Sequence, residues 1–249
     1  MHSTRRRAVR WALAAVLVAA PLTACGDEGS PVPTPDGEGP ASQADTDRGV
    51  PASEPYREPA PQPRSPDQLA GLLSHEVPEA GTGELQVVPG VASAPGPGEV
   101  WQVRVSVEGG LDVDGAAFAT MVMTTLNDPR GWSQEGHTFA RTDGADHDVE
   151  VVLASPSTSE RLCRPLVTHG TLSCRSGDQA VITLYRWVEG TEDYGDDLTG
   201  YRQYVVNHEV GHALGHGHVG CTRPGQPAPV MMQQTLGLEG CARNPWPYP

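Results

Sequence analysis

Residues 208–218 read HEVGHALGHGH, and this short run holds residue types that can do hydrolytic chemistry. His208 and His212 stand one helical turn apart, so on a helix their imidazoles share a face and can reach one metal ion. Glu209 would project beside such an ion, where a carboxylate can take a proton from water and later return it to a leaving amine. Two imidazoles leave a zinc site incomplete, so a third nitrogen has to come from beyond the helical face. Gly215 supplies the means, because glycine adopts the left-handed conformation that ends helices without steric cost. His218 then closes a three-histidine set that keeps one position for water or substrate. His216 is the competing third ligand: it follows His212 by four residues and stays on the helix if Gly215 does not break it. Its ordinary reading is a solvent-exposed or supporting histidine. Gly211, inside the helix, is less favourable there than alanine by ~1 kcal/mol, which points to close packing beneath the site.

Together His208, Glu209, His212, Gly215 and His218 fill the pattern H-E-x-x-H-x-x-G-x-x-H, and on that motif the chain resembles the metzincin branch of the zinc metallopeptidases. The resemblance covers about Leu198 to Gln234. It implies Zn2+ as cofactor, His208, His212 and His218 as metal ligands, and Glu209 as the catalytic base of a zinc-dependent endopeptidase in which activated water attacks a peptide carbonyl. It further implies a zincin-like α+β fold: a mixed sheet backed by helices, a zinc-binding helix and a small irregular C-terminal part. A methionine turn should pass under the metal; Met231 of Pro229-Val230-Met231-Met232 is the expected residue, with Met232 as the alternative. Gln233 and Gln234 depart from the family, since several metzincins place there a tyrosine that supports the transition state. The stretch from about Val77 to the closing NPWPYP is also similar to an uncharacterised domain family of exported proteins of high-GC Gram-positive bacteria.

Two other functions are compatible with such a site: a non-catalytic zinc-containing binding module at the cell surface, and a zinc amidase acting on a cell-wall component. Glu209 speaks against the first, because a purely structural site has no use for that carboxylate.

The elements that must position these residues can be read from local patterns. Asp196 or Asp197 can cap a helix from about Leu198 to Leu214, which carries the motif. Val100 to Val107 alternates Trp101, Val103, Val105 and Val107 with polar residues, as a strand with one buried face does. Weaker strand candidates are Glu84–Val88, Thr138–Arg141, Val149–Ala154 and Ala180–Tyr185. Asp114 can cap a helix with Ala117, Phe118, Met121, Val122 and Thr125 at helical spacing, ending before Asn127-Asp128-Pro129. Ser65-Pro66-Asp67-Gln68 carries a capping-box signature, with Leu69, Leu72 and Leu73 as an apolar face, and marks the start of a folded domain over 65–249. This order of elements, followed by an irregular tail, predicts one α+β domain.

The first 24 residues read as a signal segment: Arg5, Arg6, Arg7 and Arg10 precede an apolar run from Trp11 to Pro21 that is short for a membrane span. Leu22-Thr23-Ala24-Cys25 resembles a lipobox, which implies acylation of Cys25 and an exported protein anchored by lipid on the outer face of the cytoplasmic membrane; secretion without an anchor is the alternative. Residues 25–64 are rich in Pro, Gly and acidic side chains and read as a disordered tether. The formal charge of −14 becomes −18 once four arginines leave with residues 1–24, and the chain has no lysine, which excludes nucleic acid as a partner. A peptide or protein substrate and a monomeric chain are the expectation. Cys163, Cys174, Cys221 and Cys241 form an even set that allows three pairings; proximity in sequence favours Cys163 with Cys174 and Cys221 with Cys241, and no C-x-x-C spacing points to a metal.

Overall fold

The computed structural model describes residues 63–249. The expected signal segment 1–24, Cys25 and the expected tether as far as residue 62 lie outside the described residues. Among the described residues, five α-helices and six strands build an α+β domain on one mixed sheet. The strands are β1 (Leu85–Val87), β2 (Glu99–Glu108), β3 (His137–Arg141), β4 (Val149–Ala154), β5 (Cys174–Ser176) and β6 (Gln179–Thr183). The sheet runs in the order β1-β2-β4-β6-β5. β3 lies parallel to the first half of β2, from Glu99↔His137 to Val103↔Arg141, and β1 lies antiparallel to its end. The β2–β4 and β4–β6 pairs are parallel, and β5 closes one edge antiparallel to β6.

The alternation expected for β2 shows only over Val103, Arg104 and Val105. Ser106 and Glu108 are as buried as Val105, because a loop and a helix cover the second face at that end of the sheet. Ser106 donates to Glu150, which also receives Arg104 and Gln179, so the polar side chains satisfy one another.

The helices are α1 (Pro66–Leu69), α2 (Gly115–Leu126), α3 (Pro156–Leu162), α4 (Leu184–Glu189) and α5 (Leu198–Ala213). Asp114 caps α2 by accepting from Ala116 and Ala117 amides, and the buried Phe118 and Val122 press it onto the sheet. The capping box of α1 is formed, yet the helix stops after one turn at Gly71, whose φ of 86° suits glycine alone. Leu72 is therefore buried while Leu69 and Leu73 face solvent, which corrects the continuous apolar face expected there. The strand expected over Ala180–Tyr185 ends at Thr183, where the chain turns into α4. α3 and β5 were not expected from pattern, although Ser155-Pro156 is a helix-start signal.

Cys163–Cys174 and Cys221–Cys241 are both bonded, which corresponds to an oxidising or extracellular environment. Among the described residues no helix is long and apolar enough to cross a membrane.

Candidate metal centre

α5 starts at Asp197, whose Oδ1 accepts from the Gly200 amide at 2.9 Å, and its middle is almost entirely buried. Arg202 anchors the first half of the helix: it donates to the Trp187 carbonyl at 2.8 Å and pairs with Asp67 at 2.7 Å. The helix ends where the glycine requires. Gly215 has φ of 101°, the His216 amide bonds back to the Gly211 carbonyl at 3.0 Å, and the Gly215 amide to that of His212 at 3.2 Å. This paired closure turns the chain sharply, and His218 swings back over the helix.

The three histidines converge. His218 Nε2 lies 3.3 Å from His208 Nε2 and 3.0 Å from His212 Nε2, and the ligand-type nitrogens of the three all fall within 4.8 Å of one another. His208 Nδ1 donates to the Val230 carbonyl at 2.8 Å, and His212 Nδ1 to the His216 carbonyl at 2.8 Å. A carbonyl can only accept, so both Nδ1 atoms carry the proton and both Nε2 lone pairs are turned toward the common point. Burial first, then its histidine neighbours, hold His208 far below its ordinary value, at about 3, against the Val230 bond that raises it. His218 is lowered by burial and by His212. Neutral imidazoles are the form that binds a metal.

This donor set fits a zinc ion. Tetrahedral coordination with bonds of about 2.0–2.1 Å sets ligand nitrogens about 3.3–3.4 Å apart, near the 3.3 and 3.0 Å that separate His218 from the other two. Glu209 adds a second sign. It is 5% exposed, no donor among the described residues bonds its carboxyl, and burial alone pushes its pKa up to about 8. A buried carboxyl without a protein donor beside three inward-facing nitrogens is an arrangement that a cation would complete.

Met231, rather than Met232, lies under the helix. A Cβ built on Gly211 would come within 2.5 Å of Met231 Sδ and 2.6 Å of Trp132 Cζ2, so the close packing inferred from that glycine is present. Met232 belongs to a small separate cluster with Ala228 and Cys241. His216 stays outside the triad: its ring stacks on Trp132 with centroids 4.5 Å apart.

The triad opens into a cleft of about 460 Å3. One wall comes from the disulfide-closed loop and β5, with Leu166, Val167, Leu172 and Arg175; another comes from Gln233, Thr235 and Leu236. Tyr204 lines it too, but its hydroxyl is occupied, donating to the Met232 carbonyl and accepting from the Gln234 amide, both at 2.9 Å. Gln234 is wholly buried and binds Tyr194 and Asn244, so it cannot reach the cleft, whereas Gln233 can. Tyr194, Gln234 and Asn244 form a polar hub that sequence reasoning missed, since its members are up to 50 residues apart and carry no motif.

No curated protein and no solved structure matches the chain. A family model does match, over residues 73–242, which takes in the sheet, the histidine triad and the methionine segment; the chain belongs to the family described as "Protein of unknown function (DUF3152)".

Proposed function

We propose that the protein is a metzincin-type zinc endopeptidase, with His208, His212 and His218 holding the metal and Glu209 serving as the base. The observation that carries this reading is the pairing of three converging imidazoles with a donor-free buried carboxyl on the wall of an open cleft. Zinc, when bound, supplies Lewis acidity, making water a stronger acid and polarising a carbonyl. Glu209 does the proton work: its carboxylate accepts a proton from the attacking water and hands it to the departing amine. Gln233 is the exposed side-chain amide of the cleft that could donate to the developing oxyanion. An extended peptide would pair with the outer edge of β5, which has no strand partner among the described residues, and set an apolar side chain against Leu166, Val167 or Leu236. The residues expected of a lipid-anchored, exported protein are consistent with a substrate met outside the cell.

The test uses the full chain loaded with zinc and a diverse peptide mixture, with new termini read by mass spectrometry. Cleavage that is abolished by chelator and by Glu209→Gln is the expected result. A folded, zinc-loaded wild type indistinguishable from Glu209→Gln would remove the peptidase reading and favour a zinc-containing binding module.

A further inference from the structure

Trp132, Glu135, His216 and Tyr248 form a cluster that the hydrolytic chemistry does not use. Trp132, on the 3-10 turn Trp132–Glu135, is buried and donates through Nε1 to the Asn207 carbonyl of α5 at 3.2 Å. Its indole lies under Gly211 and stacks nearly flat on the His216 ring, 20° from parallel. Glu135 Oε2 lies 3.0 Å from His216 Nε2, and Glu135 Oε1 accepts from the Tyr248 hydroxyl at 2.9 Å. Tyr248 is itself seated by its amide on the Arg130 carbonyl at 2.9 Å, next to Trp246 with the Arg130 guanidinium 4.0 Å above its ring.

His216 stands between Gly215 and Gly217, the two residues with the least backbone restriction in the turn that joins the second and third imidazoles. Its ring is the side-chain anchor inside that turn; the next anchor, the Val219 amide on the Met231 carbonyl at 3.2 Å, comes only after His218. The carbonyl of the same residue accepts the Nδ1 proton of His212. Fixing His216 therefore fixes two things: the place of His218 and the tautomer of His212.

We propose that Trp132, Glu135 and His216 are positioning residues for the metal site, holding the Gly215–His218 turn in ligand geometry, and that Tyr248 braces Glu135 so that the tail segment contributes to metal retention. The inference rests on the zinc reading given above. Glu135 and Tyr248 are surface residues, so variants at either leave the core untouched.

The test compares zinc affinity of the full chain, by competition with a chromogenic chelator, and the absorption spectrum of the Co2+-loaded protein, for wild type, His208→Ala, Glu135→Ala, Glu135→Gln and Tyr248→Phe. Glu135→Ala is expected to lose about tenfold in affinity and to alter the cobalt spectrum, with an unchanged thermal midpoint of the metal-free protein. Glu135→Gln, which keeps reach and hydrogen bonding, should restore both, and Tyr248→Phe should show a smaller loss. If His208→Ala loses zinc while Glu135→Ala keeps wild-type affinity and spectrum, the positioning role is overturned and the zinc reading survives. A loss in Glu135→Ala that Gln does not rescue, or that tracks a loss of metal-free stability, overturns it as well. Should wild type and His208→Ala bind zinc alike, the zinc reading itself falls and the inference with it.

Discussion

Two glutamates of this domain are almost equally buried and differ in the donors that reach them. Glu108, 1% exposed at the end of β2, accepts from the Gly81, Gly83 and Ser155 amides and from the Thr158 hydroxyl at 2.8–3.1 Å. Burial alone would raise its pKa, but these donors outweigh it and hold the carboxyl below its usual range. Glu209, 5% exposed on α5, has no such donor and is pushed up. Burial does not distinguish a structural carboxylate from one poised to exchange a proton; the number of donors aimed at it does. The first ties a loop and α3 to the sheet. The second, in the proposed reading, serves a cation and a substrate water.

The sharpest way to break this contrast is to remove each carboxylate. Glu209→Gln is expected to lower cleavage by about 10²–10⁴-fold without lowering urea stability below that of wild type. Glu108→Ala should do the reverse: it strands four donors and costs about 3 kcal/mol in urea unfolding, while zinc affinity of the folded fraction stays at the wild-type level. Equal stability losses in the two variants would erase the distinction.

The pH dependence sharpens it further, because the two shifts have opposite signs in chelator-treated protein. The folded pKa of Glu108 lies below its unfolded value, so its contribution is present above that value and is lost as pH falls through the folded pKa. The folded pKa of Glu209 lies above its unfolded value, so the folded state keeps a proton the unfolded chain has released, and stability declines as pH rises from about 4.5 toward about 8. Urea midpoints against pH should lose the acid-side slope in Glu108→Gln and the alkaline-side slope in Glu209→Gln. The smallest effect concerns packing: Gly211→Ala drives a methyl into Met231 and Trp132 and should cost about 1–3 kcal/mol by thermal or urea unfolding, with weaker zinc binding.

The same contrast explains what was legible in the sequence. The site half depends on local signals: Asp197 before the helix, histidines at a spacing of one turn, Gly215 at the bend, and cysteine pairs only 11 and 20 residues apart. Each works within a short stretch of chain, so composition and spacing suffice. Glu108 lies just beyond the strand read over Val100–Val107, and nothing near it announces donors at 81, 83, 155 and 158. Trp132 and Gln234 were silent for the same reason, since their partners come from distant segments. β5 went unread because three residues carry no period, and α4 because Leu184 and Tyr185 continue the apolar run of β6 into a helix.

The most direct test of the proposed centre is zinc-edge X-ray absorption on the full chain carrying one equivalent of zinc. Three imidazole nitrogens and one oxygen at about 2.0–2.1 Å would match a three-histidine site with an open position. A fourth protein nitrogen, a sulfur ligand, or a spectrum unchanged by His218→Ala would contradict it.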